Sequence, residues 1–504
     1  MSIGQLILAG NWLIEFNFKS KLNILKSSPL LWVLFSVYFL HLIGFSWSSN
    51  IEYALKDSRI KLPLLILPLI ISTSKKINAR ELKIIFLIYL STILILSLAS
   101  LYKLLGLSNH TIIDKRDLSI YISHIRYGLN IAFAIFLSLR FRTLLFKNAH
   151  FLAITIPIWL IACLFLFELY TGLICLLAIF ISLSIVYLFS KRVSLSWKLI
   201  GLVILFFSVL SPIYITSKVY KDYTREIPLG YDQTIRVAYT LNGEKYWHDV
   251  KSKEKENNVY VERYIAWKEL EKAWNSRSVY GFRDTDKKGN YIISTVTRFL
   301  SSKGLKKDST NIYSLTPDEV KAIENGTANV YYLHHNKVEN RIHKIFYEID
   351  HYQQTGIANG YSLAMRLVYW KTCWRIIKNN LIYGVGTGDI KDHFAHQYEL
   401  DETLLDPKFR KRAHNQYLTF WATFGIVGLL LFILSLLIPL FYNTDFKKIY
   451  FAFWVLVCLS FISEDTLETQ AGVTFFALFN SLFLLGLKKP NQELHYTDVK
   501  SAEQ

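Results

Sequence analysis

The sequence predicts an all-α, polytopic integral membrane protein of about 11–12 transmembrane helices, with one large, mainly helical loop domain. Three observations predict it. Of 504 residues, 52% are hydrophobic and only 19% charged, below the roughly 25% charged residues of soluble domains. Apolar stretches too long for ordinary core helices recur through the first 216 residues and again after residue 412. The short connections between them alternate between basic and non-basic, as cytoplasmic and external loops do. This composition excludes intrinsic disorder, which requires low hydrophobicity. Four cysteines are too few for a disulfide scaffold. The net charge of +18, from 57 basic and 39 acidic residues, invites a nucleic-acid reading, but on an apolar chain it fits a membrane protein better.

Taken in order, the apolar runs lie near residues 3–17, 29–46, 60–72, 82–105, 120–139, 150–168, 171–190 and 197–216, then 415–441, 449–463 and 470–487. The 60–72 run is short and holds Pro63 and Pro68, which membrane helices tolerate when neighbours re-satisfy the backbone. Lys19, Lys21 and Lys26 follow the first run; Lys75, Lys76, Arg80 and Lys83 the third; Arg140, Arg142 and Lys147 the fifth. Lys191, Arg192 and Lys198 follow the seventh, Lys447 and Lys448 the ninth, and Lys488 and Lys489 the last. The alternate loops differ. Asp114-Lys115-Arg116-Asp117 is balanced, Glu168-Leu169-Tyr170 is short and acidic, and Glu464-Asp465-Thr466-Leu467-Glu468 carries only negative charge. The expected organisation is therefore about eight spans over 1–216, a large external loop domain over 217–412, three spans over 413–487, and a cytoplasmic tail over 488–504. An odd number of spans leaves Met1 outside, which points to a shortened or missing N-terminal helix.

The 217–412 segment carries 32 basic and 25 acidic residues, so its excess is mild. Val261 to Trp274 reads as an amphipathic helix, and Thr316-Pro317-Asp318-Glu319 as a helix start with an acidic first turn. Leu363, Leu367, Trp370, Trp374 and Ile377 form one apolar helical stripe, stopped by Gly384-Val385-Gly386-Thr387-Gly388-Asp389.

Two patches carry chemistry. The first is Lys408-Phe409-Arg410-Lys411-Arg412-Ala413-His414-Asn415-Gln416-Tyr417-Leu418, where the chain re-enters the membrane. A basic anchor for lipid head groups accounts for its cations but not for His-Asn-Gln-Tyr at the lip of a span. A histidine there can take a proton from a hydroxyl near neutral pH. The second is His124-Ile125-Arg126-Tyr127-Gly128-Leu129-Asn130, inside the fifth run. Charge within a span is costly and is paired, snorkelling or functional. Arg366 is a third cation, with a solvated or ion-paired surface residue as its plain alternative. Fixed arginines beside a histidine at a membrane surface suit a diphosphate, which Arg binds bidentately and could stabilise as it leaves.

Other signals are weaker. The Gly384–Gly388 run lacks the Gly-Lys-Ser/Thr ending of a P-loop. His334-His335 and His393-Phe394-Ala395-His396 suggest no third metal ligand by spacing, and no metal or other cofactor is expected. Asn325-Gly326-Thr327 matches a glycosylation acceptor, a motif common by chance. Glu464, Asp465 and Glu468 either orient a substrate or form a solvated turn.

At these residues the sequence resembles the O-antigen ligase and O-antigen polymerase superfamily of bacterial membrane glycosyltransferases. The likeness rests on His414-Asn415-Gln416-Tyr417-Leu418 followed by Phe424-Gly425-Ile426-Val427-Gly428-Leu429, and on Arg366-Leu367-Val368-Tyr369-Trp370 leading to Tyr383-Gly384-Val385-Gly386-Thr387-Gly388-Asp389. The Arg126 segment and one large loop late in a multi-span chain add to it. The resemblance implies metal-independent transfer of a glycan from an undecaprenyl-diphosphate carrier, at the periplasmic face of the bacterial inner membrane. His414 would activate the acceptor hydroxyl, while Arg126 and Arg366 would bind the diphosphate. Arg412, Asn415, Gln416, Tyr417, His124, Asp389 and Glu464 are the residues expected to contact substrate. The acceptor would be lipid A–core in the ligase branch, another lipid-linked repeat in the polymerase branch, or a protein in related enzymes. Membrane lipids are expected partners and nucleic acid is not. A transporter of lipid-linked glycans would line a midplane cavity with discontinuous helices or internal repeats, and the sequence suggests neither. A non-catalytic assembly factor would leave His414 without a task.

Overall fold

The computed structural model describes residues 2–108, 115–147, 149–190, 194–229, 231, 233, 237–442 and 447–488. Asp114, Lys191, Arg192 and the tail from Lys489 onward, on which part of the charge alternation rests, lie outside the described residues. The chain is an all-α polytopic membrane protein. Its strands amount to one antiparallel pair, Lys255–Glu256 with Val259–Tyr260, among the described residues. All eleven apolar runs fold as helices. Among the described residues, five helices are long and apolar enough to cross a membrane: Pro29–Trp47, Ala79–Leu104, Tyr170–Leu188, Leu195–Thr224 and Gln416–Phe441. The others are shorter; His124–Arg140 and Lys447–Ser463 have 17 residues each, about 25 Å at 1.5 Å per residue against an apolar bilayer core of about 30 Å.

Local chemistry sets the helix ends. Asn78 and Glu81 form a reciprocal capping box that starts the 26-residue helix Ala79–Leu104 three residues ahead of the apolar run. Pro29 and Pro63 sit in first turns, where no N–H is missed.

The chain divides into two compact units. The first comprises Met1–Leu202, Tyr369–Thr403 and Arg410–Gln504. Within it, helix His124–Arg140 packs against Tyr170–Leu188, Leu152–Leu166 and Ala79–Leu104, and every residue from Ile131 to Leu137 is buried. Helix Gln416–Phe441 is broken at Gly425, whose φ is +66°. The break frees the carbonyls of Ala422 and Thr423, which accept from the N–H groups of Val385 (2.9 Å) and Gly386 (2.8 Å). Irregular backbone at membrane depth persists where protein re-satisfies it in this way. The glycine-rich stop is thus a backbone plug. A Cβ on Gly425 would lie 1.9 Å from the Ile382 carbonyl oxygen, and one on Gly384 2.4 Å from the Phe424 nitrogen. The plug continues through Thr387, whose hydroxyl donates to the His41 carbonyl (2.7 Å), and Gly388, whose N–H donates to Ser48 Oγ (2.9 Å).

The second unit comprises Val203–Val368 with Leu404–Phe409. Its core gathers Leu270, Trp274, Val296, Phe299, Leu300, Ile312 and Ile323 from helices Trp267–Asn275, Ile292–Ser302, Ser309–Tyr313 and Pro317–Glu324. The Thr316 start folds as expected, with Thr316 and Glu319 capping reciprocally. The amphipathic helix expected over 261–274 is shorter, beginning only at Trp267. Ile265 is instead extended and bridges both Trp247 and Lys307, so its burial comes from pairing rather than from a helical stripe. Arg298 pairs with the buried Glu256 and lies over the Tyr347 ring at 4.7 Å.

Candidate functional site

The site in the first unit is built on the acidic loop between helices Lys447–Ser463 and Gln470–Ser481. The loop is buried rather than solvated: Glu464, Asp465, Thr466 and Leu467 are all below a tenth exposed. Asp465 organises it. Its Oδ2 accepts from the His414 N–H (3.0 Å), and its Oδ1 accepts from the Asn415 N–H (3.0 Å) and the Thr419 hydroxyl (2.7 Å). Three donors on one carboxylate hold the chain in a sharp turn in which His414 takes a φ of +46°, a left-handed conformation that residues with a Cβ seldom adopt. Burial pushes the Asp465 carboxyl above its ordinary range, with Arg412 opposing.

Glu464 lies between the two principal candidates. Its Oε1 is 3.7 Å from His414 Nδ1 and its Oε2 is 3.7 Å from Arg126 Nη2. The His414 side chain is about a third exposed, yet Nδ1 is buried without a hydrogen bond. Exposure therefore falls on the far side of the ring, where Nε2 is, and that is the side a general base needs. The Tyr369 ring lies 5.6 Å from the imidazole, centre to centre. Arg126 sits in the first turn of helix His124–Arg140, whose cap is Ser123. Beside it is a cavity of about 40 Å³ lined by Asn130, Leu129, Ser460, Thr466 and Phe476.

A second layer of charge holds this arrangement. Glu468 accepts from Lys61 (2.8 Å), Arg412 (3.0 Å) and Gln416 Nε2 (3.1 Å). Lys61, itself buried, also pairs with Asp57 one helical turn earlier. Burial alone would raise the Glu468 carboxyl, but Lys61 and Arg412 hold it well below its ordinary range. Arg412 likewise stays charged against burial because Glu468 faces it.

Residues 324–433 match the family model described as O-antigen ligase. That segment is similar to the O-antigen ligase-like superfamily. The matched segment contains Arg366, the glycine plug and His414. A search of curated proteins returns no match. The match supports a glycosyltransferase of the O-antigen ligase and polymerase type, a family that implies lipid-linked glycan and acceptor substrates in general.

The structure brings Arg126, His414 and Glu464 together and distributes the other expected residues differently. Asn415 caps helix Gln416–Phe441 by accepting from the Leu418 N–H (3.1 Å), and its amide donates to the Ile462 carbonyl (3.1 Å). Gln416 accepts from the Leu467 N–H (2.7 Å), and Tyr417 donates to the Cys458 carbonyl (3.2 Å). These three side chains clamp the acidic loop and its neighbouring helix. His124 has Nε2 3.3 Å from the Glu168 carbonyl and Nδ1 3.5 Å from Ser119 Oγ. Asp389 accepts from the N–H groups of Ser49 and Asn50 (2.8 and 2.7 Å), a task of the plug. Arg366 belongs to the second unit, where it is half-buried in helix Ser362–Asn379 with Nη1 3.5 Å from the Ser362 carbonyl. The start of that helix is held by Glu348, which accepts from the Leu363 N–H (2.9 Å) and pairs with Arg341 (3.0 Å). Among the described residues, no group of three or more His, Cys, Asp or Glu side chains is placed to hold a metal ion. Sequence reasoning missed Asp57 and Lys61. Their signal was present: opposite charges one helical turn apart, with the lysine at the edge of an apolar run.

Proposed function

We propose that the chain is a metal-independent glycosyltransferase of the ligase type. It moves a glycan from undecaprenyl diphosphate to an acceptor hydroxyl of lipid A–core at the periplasmic face of the inner membrane. The observation that carries this reading is the pairing of a partly exposed histidine and a span-embedded arginine on one buried carboxylate, in a chain whose residues 324–433 match the O-antigen ligase family model. In the reaction, His414 Nε2 takes the proton of the acceptor hydroxyl as its oxygen attacks the anomeric carbon of the donor glycan. The bond from that carbon to the diphosphate oxygen breaks, and the electron pair leaves with the carrier diphosphate. Arg126 and Arg366 are the arginines proposed to stabilise that charge; a guanidinium stays protonated at any working pH and matches phosphate oxygens bidentately. The 217–412 segment serves as the periplasmic domain and Arg412 as a brace of the site.

Deletion of the gene in its own host tests the acceptor. A ligase leaves polymerised glycan accumulating on its lipid carrier, and wild-type chain, but not His414→Ala, restores glycan on lipid A–core. Single repeats capping the core would identify a polymerase instead. Unchanged surface glycan, with no carrier-linked glycan accumulating, would overturn the reading.

A further inference from the structure

The turn that leads helix Ser362–Asn379 into the glycine plug exposes large apolar side chains: Trp374, Leu381, Ile382 and Tyr383 are 42–70% exposed. What such a surface meets depends on its depth, and the backbone fixes that depth. The Leu381 carbonyl accepts from the Ile426 N–H (2.9 Å), while Val385 and Gly386 donate to the carbonyls of Ala422 and Thr423. The turn is therefore level with the break at Gly425, nine residues past Gln416 in its helix, about 14 Å at 1.5 Å per residue. A second span gives the same reading. The Phe424 ring lies 4.8 Å from that of His41, which precedes the end of span Pro29–Trp47 by about 9 Å on the same rise. Both measures put the turn inside the apolar layer, half of which is about 15 Å thick. From there on, the broken span exposes Val427, Leu430, Leu431 and Leu434 as a lipid-facing stripe.

We propose that residues 374–383 are a re-entrant wedge, inserted among the phospholipid acyl chains of the leaflet at the His414 end of the span. The inference concerns how the chain sits in its membrane and does not depend on the reaction proposed above. The helix that delivers the turn changes character along its exposed face. Lys371, Arg375 and Lys378 are exposed at spacings of four and three, ahead of the apolar tip. Trp374 sits among them, its ring edge-on to that of Trp421 at 5.3 Å. Cations and tryptophan followed by aliphatic side chains match the passage from head groups into acyl chains. A cation near a helix C-terminus also complements the helix dipole, which explains Lys378 but not the tip beyond it. Arg375 pairs with Asp401, which leaves Lys371 and Lys378 to reach the phosphates of anionic lipid. The same charges disfavour a second copy of the chain on this face, since a symmetric contact sets each cation against its own kind. Backbone away from regular helix survives at this depth where protein satisfies it, as Ala422 and Thr423 do for the plug. Part of the 217–412 segment thus dips into the membrane and clamps the broken span from the lipid side.

The test places an environment-sensitive fluorophore, NBD maleimide, on Ile382→Cys, Tyr383→Cys, Leu434→Cys and Val279→Cys. Each is the full chain in nanodiscs of phosphatidylcholine and phosphatidylglycerol; wild type, with its four buried or half-buried cysteines, gives the background. Quenching is read with iodide from the water and with nitroxide carried on acyl chains. Positions 382 and 383 are expected to follow Leu434 in the span, with blue-shifted emission, strong nitroxide quenching and little iodide quenching. Val279, 89% exposed in the second unit, should show the reverse. If one of the two tip variants does not fold, the other carries the test. Iodide quenching at the tip equal to that at Val279 overturns the wedge. So does quenching by neither agent, which marks a tip covered by protein. Loss of nitroxide quenching when undecaprenyl diphosphate is added also overturns it, because the surface is then a seat for a polyprenyl tail. Lys371→Gln with Lys378→Gln, added to Ile382→Cys, should weaken quenching by nitroxide on phosphatidylglycerol more than by nitroxide on phosphatidylcholine. An equal response to both lipids overturns the head-group contact.

Discussion

Replacing Asp465 with Ala should disable transfer while leaving His414 in the chain. The carboxylate accepts from the His414 N–H, the Asn415 N–H and the Thr419 hydroxyl, at 3.0, 3.0 and 2.7 Å. Hydrogen bonds to a charged partner contribute about 1.5–3 kcal/mol each, so even the low end gives about 4–5 kcal/mol in all. Against this stand the desolvation that pushes the Asp465 carboxyl up and about 1–2 kcal/mol of strain released when His414 leaves a φ of +46°. A net loss of about 2–3 kcal/mol follows, enough to shift the turn without unfolding the bundle. A turn that relaxes moves the imbidazole by an ångström or more, and such a misplacement costs about 100-fold in rate. The assay is glycan transfer per folded molecule, with size-exclusion elution and thermal unfolding as controls. Asp465→Asn keeps one oxygen acceptor but turns a donor toward a backbone N–H, and should fall between. Transfer by folded Asp465→Ala within threefold of wild type would refute the claim that this carboxylate sets the histidine.

Three further outcomes follow from the same geometry. Lys61→Met leaves the Asp57 and Glu468 carboxylates without their shared buried cation and should destabilise the chain by about 3–5 kcal/mol, read as a lowered unfolding midpoint; Lys61→Arg should lose less. Because Lys61 and Arg412, acting against burial, hold the Glu468 carboxyl below its ordinary 4.5, the stability it contributes is complete above that pH and is lost as pH falls below it; Glu468→Gln should be less stable at neutral pH and flatter under acid titration. Gly425→Ala places a Cβ 1.9 Å from the Ile382 oxygen at a φ of +66° and should abolish folded, detergent-stable protein, whereas Ala at Gly10, where a Cβ meets nothing within 4 Å, should be neutral by the same assay.

Much of the fold was legible because membrane helices advertise themselves through composition and length. Each of the eleven apolar runs is helical, and Thr316 and Glu319 cap the helix they were expected to start. The misread elements share a physical cause: their partners are distant in sequence. Glu464 to Glu468 looks like a solvated acidic turn because its cations, Lys61 and Arg412, arrive from other parts of the chain. Ile265 fits a helical stripe by spacing but is extended, because Trp247 and Lys307 offer it bridge partners. The glycines of 384–388 read only as the stop of a helical stripe. Their use is to let the backbone approach the break at Gly425, which becomes visible only once residues 382–386 and 422–426 are seen side by side. In the site, Arg126 and His414 stood out because charge and imidazole at the ends of spans are costly. Asn415, Gln416 and Tyr417 stood out too; Gln416 holds the acidic loop at Leu467, while Asn415 and Tyr417 reach the carbonyls of Ile462 and Cys458 on the helix before it.

The central claim is tested most directly by reconstitution. Purified full chain in proteoliposomes is given a glycan on undecaprenyl diphosphate and lipid A–core as acceptor, and glycosylated acceptor and released carrier diphosphate are both quantified. Wild type should yield the two in equal amounts, while His414→Ala and Arg126→Ala, folded and inserted alike, should fall by at least about 100-fold, the scale of a lost general base or a lost charge-stabilising donor. Equal transfer by all three proteins would contradict the account.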